Sequence, residues 1–300
     1  MKLVNPLPMV VAAWEQGYAV PAFNTNGGDY DIVRAALEAA QELSAPMILQ
    51  VYQPNAQYRG LRYCAALTRS LIEDLDIRVP VALHVDHGKD LAFCRQAMQA
   101  GFTSVMIDAS HHPLEDNIRL TRQVIAAARR RKVAVEAEVG HVKGNEPPGH
   151  PQIGCIPAPP RPSLPPAKTV PADAVELVRR THVDMLAVSV GSTHGGYQRQ
   201  SGFDFKLLAD LHRQIPVPLV MHGTCGISLK DLTRLARGGM AKINVGEPFR
   251  YNFIRHFLEL SDEMEHMWHP WRILQEVKNR LGKEMRELIQ AMGCDGKANQ

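Results

Sequence analysis

A short apolar run followed by a stretch of helical spacing recurs eight times along this 300-residue chain, and that alternation limits its fold more than any other feature. Parallel strands need a crossover of a dozen or more residues between them, most often a helix. The runs are 18–24 (YAVPAFN), 46–52 (PMILQVY), 79–89 (VPVALHVDHGK), 104–110 (SVMIDAS), 133–140 (VAVEAEVG), 185–191 (MLAVSVG), 218–221 (PLVM) and 241–245 (AKINV). Helical patterns cover 8–15 ahead of the first run, then 30–43, 61–75, 90–100, 114–131, 172–180, 205–214, 229–237 and 248–260, with two further stretches within 271–292. The expected architecture is α/β: a parallel (β/α)8 TIM barrel, one domain over residues 1–300, with extra C-terminal helices and a long loop after strand five. An open doubly wound sheet is the competing arrangement. Against it, no GxGxxG follows the first strand, and polar clusters recur after nearly every strand.

Those clusters locate the site. The third run is apolar until it delivers His84, Asp86 and His87 at its end, where the buried part of a strand could not tolerate unpaired charge. Asp86 and His87 are adjacent and would face opposite ways on a regular strand, so both serve one site only if the backbone turns, with Gly88 the expected turning point. His194 and His222 end the sixth and seventh strands. A single strand-end histidine is usually just a solvated polar residue. Three at equivalent lips of one barrel mouth are the ligand set of a catalytic Zn2+ with an open fourth position. No HExxH spacing occurs, which excludes the peptidase type of zinc site. Glu136 and Glu138 share a strand face and need a cation or hydrogen bonds there. Residues 141–170, rich in Gly, Pro and His around PAPPRPSLPPAK, read as a functional lid or excursion.

Composition narrows the partners. A net charge of +3, with no basic run interleaved with aromatics, gives no reason to expect nucleic acid. Five scattered cysteines without a CxxC pair argue against a disulfide framework and suit a reducing cytoplasm, the expected location. The N-terminal residues lack a signal peptide's apolar core, and no stretch approaches the roughly 20 apolar residues that span a bilayer. No membrane partner is expected.

The residues that carry these features resemble the class II, zinc-dependent fructose-bisphosphate and tagatose-bisphosphate aldolase family. The resemblance runs from AFN at 22–24 to Gly296, Lys297 and Ala298. HVDHG at 84–88 and VEAEVGHVKGNE at 135–146 are its most specific motifs, the latter with Lys143 where glycine is usual. SVMIDASH at 104–111, STHGGY at 192–197, LVMHG at 219–223 and KINV at 242–245 also match. The resemblance implies a retro-aldol cleavage of a small-molecule ketose. His87, His194 and His222 would hold the zinc, and Asp108 and Glu138 would line it or hold it in an alternative position. Asp86 would be the acid/base at the C4 hydroxyl. Glu146, in the long loop, would exchange a proton at the carbanion carbon. Asn244 would hold the dihydroxyacetone part. Asn24, Gln50, Gly195 and Gly223 are further candidate substrate contacts. A monovalent cation (Na+ or K+) nearby and a homodimer or homotetramer are also implied.

Three positions depart from the pattern at one end of the substrate. Family members cradle a phosphate with glycine amides and two hydroxyls, but here Cys225 stands where serine is usual and Glu247 where threonine is usual. A thiol is a poor donor, and a carboxylate repels a dianion. Tyr52 replaces a common serine and would narrow the mouth. Together they point to an unphosphorylated ketone half, although Glu247 could instead simply cap its helix. Arg272, Lys143 and Arg59 are candidates for an anionic far end. Other readings are an ordinary ketose-bisphosphate aldolase, a non-catalytic aldolase-like subunit, another zinc hydrolase or epimerase on the same barrel, and Schiff-base chemistry at Lys242. Lys242 shares a strand face with Asn244, but its use would leave three histidines and two carboxylates without a role.

Overall fold

The computed structural model describes residues 3–140, 168–194, 200, 202–264 and 269–298. Its eight strands are β1 Val20–Asn24, β2 Met47–Tyr52, β3 Val81–Gly88, β4 Ser104–Ile107, β5 Ala134–Val139, β6 Met185–Val188, β7 Leu219–Met221 and β8 Met240–Val245. They follow one another around a closed barrel, every neighbouring pair parallel, and β8 meets β1 with Asn244 opposite Ala22. The helices are α1 Leu7–Gln16, α2 Tyr30–Glu42, α3 Gln53–Arg59, α4 Leu61–Asp74, α5 Leu91–Ala100, α6 Leu114–Arg129, α7 Pro171–Thr181, α8 Phe205–Gln214, α9 Leu229–Arg237, α10 Glu247–Glu263 and α11 Pro270–Ala291. The chain is therefore a TIM barrel, as the alternation predicts.

Local chemistry sets the boundaries. Asp29 opens α2 by accepting from the N–H groups of Asp31 and Ile32, Asp90 opens α5 through Phe93, and Ser228 opens α9 through Asp231. The helices pack an apolar layer on the barrel's outside; Phe23 of β1 meets Phe249 of α10 edge to face, 4.9 Å between centroids. Two expectations change. The short helix α3, with proline in its first turn, occupies a stretch read as connection. The two C-terminal stretches are one 22-residue helix, α11, which runs through Gly282 without interruption. Residues 141–167, with the proline-rich run, Lys143 and Glu146, lie outside the described residues, as does Gly195.

The barrel interior is not purely apolar. Lys242 and Glu136, both wholly buried, form an ion pair of 2.9 Å across the barrel. Lys242 also donates to the Asn244 side-chain oxygen at 2.6 Å. His84 lies in the same layer, 2.8 Å from the Ser104 hydroxyl and 3.7 Å from Glu136. Burial, reinforced by the charge of Lys242, pushes the His84 pKa down to about 3 and keeps it neutral. Removing one member of a buried pair leaves the other charge uncompensated. Lys242→Met is expected to lower the unfolding free energy by about 3–5 kcal/mol, read from urea unfolding curves. An unchanged midpoint would show that Glu136 does not depend on this partner.

Candidate active site

At the C-terminal lips of β3, β6 and β7, the imidazoles of His87, His194 and His222 come together. One nitrogen from each lies within 4.8 Å of the others, and the ring centroids of His87 and His222 are 4.7 Å apart. The turn that brings His87 round falls on His87 itself, at φ +50°, and not on Gly88 as the sequence suggests. The register with β4 shifts between Val85 and Gly88, so His87 joins the side on which Asp86 lies. Left-handed backbone at a non-glycine residue costs about 1–2 kcal/mol, and here that strain sits at the site. Gly88 has a different job: a β-carbon there would come within 2.5 Å of the Met106 carbonyl oxygen.

Each imidazole is held on its outer nitrogen by a carboxylate. His87 Nδ1 is 2.8 Å from Asp108, His222 Nε2 is 2.8 Å from Glu136, and His194 Nδ1 is 3.1 Å from Glu247. An ionised carboxylate only accepts, so these nitrogens carry the protons and the inner ones carry lone pairs. Burial by itself would raise all three carboxyl pKa values. For Asp108 it is outweighed by the His87 hydrogen bond, for Glu136 by Lys242 and His222, and for Glu247 by His194 and Arg250, and all three end below the ordinary range. The inner nitrogens of His87 and His222 then face each other at 3.0 Å, which is repulsive unless a proton or cation lies between them. His194 Nε2 is buried with no hydrogen-bond partner among the described residues. Burial works against charging His87, yet Asp86, Asp108 and Glu138 push its pKa up to about 10. The cluster demands positive charge. Three convergent imidazole lone pairs backed by carboxylates fit a tetrahedral zinc ion with one open position. A second grouping, His87, Asp108 and Glu138, also places its ligand atoms within 4.8 Å of one another.

Asp86 stands beside the cluster. It accepts from Asn24 at 3.1 Å and from Asn244 at 3.2 Å, while the nearest His87 and His222 nitrogens are 3.9 and 4.0 Å away. Burial favours its neutral form but is outweighed by His87, His222 and Lys242, and its pKa ends below the ordinary value. Lys242, which orients Asn244, is engaged with Glu136 beneath the mouth, and this speaks against its use as a nucleophile. Gln50 is buried on β2, and its side-chain oxygen has no partner among the described residues. Tyr52 sets its ring edge to face with that of His87, 6.1 Å between centroids. Cys225 is buried after β7. Arg272 is exposed in the first turn of α11, its guanidinium over the Trp271 ring.

Two contributors are not apparent from sequence. The Gln200 side-chain nitrogen lies within 3.0 Å of the carbonyls of Thr193, Gly223 and Cys225, and its oxygen accepts from the Thr193 N–H at 2.9 Å. It ties the loop of His194 to the loop of His222, and no local motif marks it. The same two loops touch at Gly223, where φ is +71° and a β-carbon would lie 2.7 Å from the Thr193 carbonyl. The other contributor is Glu136. Its strand face was readable from the period of two, but its partner His222 is 86 residues away.

A parallel barrel whose strand ends gather imidazoles and acids defines a barrel enzyme with its chemistry at that mouth. Residues 4–297 match the family described as fructose-bisphosphate aldolase class II. Fructose-bisphosphate aldolases of Staphylococcus epidermidis and Geobacillus stearothermophilus are each 36% identical to the chain. The first aligns over 99% of this chain and 100% of its own length, the second over 100% of both. Among solved structures, the YdjI aldolase of Escherichia coli K12 superposes with a TM-score of 0.82 at 26% identity, covering 99% of this chain and 100% of its own. The chain belongs to the class II fructose-bisphosphate aldolase family and is a lyase. That family is in general zinc-dependent and acts on sugar phosphates. No helix among the described residues is long and apolar enough to cross a membrane.

Proposed function

We propose that this chain is a zinc-dependent aldolase that reversibly cleaves a ketose into an aldehyde and an unphosphorylated, dihydroxyacetone-type ketone. The observation that carries the ketone half of this reading is Glu247. Where the family pattern has a threonine hydroxyl for phosphate, this chain has a carboxylate held ionised beside His194. Two unit charges about 4 Å apart repel by about 4 kcal/mol at an effective dielectric constant of 20. Buried Cys225, a weak donor, and Tyr52 against His87 support the same reading.

His87, His194 and His222 would hold the zinc, which when bound supplies a Lewis acid to the ketose oxygens. Asp86, fixed by Asn24 and Asn244, takes the proton of the C4 hydroxyl as the C3–C4 bond breaks. The C4 carbonyl forms, and the bond's electron pair stays on C3. Glu146 returns a proton to that carbon, a role supported by its place in the matching motif. Asn244, itself held by Lys242, faces the ketone part. The resemblance also supports a nearby Na+ or K+ and a homodimer or homotetramer, which light scattering would distinguish.

The test is synthesis with purified zinc enzyme and a series of acceptor aldehydes, offering dihydroxyacetone or its phosphate. A kcat/KM at least about tenfold higher with dihydroxyacetone, equivalent to about 1.4 kcal/mol, is expected. A clear preference for the phosphate would overturn the unphosphorylated reading and favour the ordinary bisphosphate class, to which the names of the relatives point.

A further inference from the structure

Three carboxylates hydrogen-bond the three imidazoles, and two of them arrive from within the barrel wall: Glu136 lies on β5 and Asp108 follows β4. The third comes from outside it. Glu247 is the first residue of α10, and its neighbour Gly246 offers that helix no side-chain cap. An acid in a first turn ordinarily serves the helix's own N–H groups. Here the carboxylate accepts from its own backbone N–H, and Oε1 also reaches His194 Nδ1 at 3.1 Å, spanning 53 residues of sequence, with only 13% of the Glu247 side chain exposed. The consequence is geometric. With Nδ1–H directed at a carboxylate, the ring presents Nε2 inward, and that atom is buried with no other partner among the described residues.

We infer that Glu247 is a positioning residue for His194, fixing its tautomer and ring orientation so that Nε2 can bind zinc. The inference rests on the zinc reading above and deepens it. In this chain one side chain would both support the metal and stand at the ketone's terminal position. Metal affinity and tolerance of an anionic ketone are thereby coupled, as they are not where a hydroxyl occupies the position. Outer partners of ligating histidines orient the ring and raise its basicity, and their loss typically weakens metal binding about 10–100-fold.

The test measures zinc dissociation constants by competition with a chromophoric chelator, without substrate, for the full-length wild-type chain, Glu247→Ala and Glu247→Gln. Glu247→Ala should bind zinc about 10–100-fold more weakly. Glu247→Gln keeps an acceptor oxygen and should recover most of that loss. Cobalt substitution adds a spectroscopic signature: the visible d–d bands should shift in the alanine variant and return towards wild type in the glutamine variant. Thermal melts of the metal-free proteins separate this role from helix capping. A lowered melting temperature with zinc affinity and cobalt spectrum unchanged would overturn the inference and return Glu247 to α10. So would an alanine variant that binds zinc as tightly as wild type. If the wild-type chain binds zinc and the alanine variant loses it, but no ketose is cleaved, the positioning role stands and the aldolase reading falls. If cleavage is robust and the affinities are equal, the reverse holds.

Discussion

His222→Ala is expected to lose zinc and activity together. The imidazole contributes one of three converging nitrogens, 3.0 Å from that of His87. Catalytic zinc sites typically keep three protein ligands, so a two-histidine remnant should not retain the ion through dialysis. The substitution also removes the group that Glu136 holds at 2.8 Å, leaving that buried carboxylate with Lys242. A Lewis acid contributes several kcal/mol to stabilising charge that develops on a carbonyl oxygen, so turnover should fall by about three powers of ten or more. Zinc per chain by atomic absorption and the initial cleavage rate are the two measurements. Near-wild-type turnover in a variant shown to lack zinc would contradict the ligand assignment. Loss of zinc with retained thermal stability would show that the imidazole serves the ion more than the fold.

Asp86→Ala should separate what His222→Ala joins. Asp86 lies 3.9 and 4.0 Å from the nearest His87 and His222 nitrogens, too far to be their hydrogen-bond partner but close enough to share a substrate hydroxyl with the cluster. Two asparagine amides, one on each oxygen, hold the carboxylate. In the proposed cleavage this carboxylate is the proton acceptor, and removing a general acid/base typically costs about 10²–10⁴-fold in rate. Zinc content should stay at the wild-type value while kcat falls by that factor. Asp86→Asn, which preserves size but not basicity, should be nearly as inactive. If Asp86→Ala instead lost its zinc, the carboxylate's part would be to support the site and not to move a proton.

Much of this was legible one segment at a time. The strand at 79–89 announces itself by an apolar run that ends in His84, Asp86 and His87, because only a strand's lip can carry such groups unpaired. Even there the structure divides the three: His84 stays below, against Ser104, while Asp86 and His87 reach the mouth. The turn could not be assigned from residue type, since glycine is the ordinary occupant of a left-handed position and His87 takes it instead. Glu247 shows the limit most clearly. From sequence it was an acid in a helix's first turn, with either a cap or a repelled phosphate as its consequence. Its contact with His194 exists only once β6 and α10 have been brought together.

Residue pattern pointed to the order and parallel sense of the strands, to a closed barrel over an open sheet, and to the three strand-end histidines that the barrel brings together. These follow from periodicity and burial, which are properties of neighbours along the chain. Tertiary structure alone decided which carboxylate backs which imidazole and how Gln200 fastens two loops. Those pairings join residues up to 86 positions apart. Hydrogen bonds and ion pairs depend on distances of a few ångströms, and only barrel closure sets these.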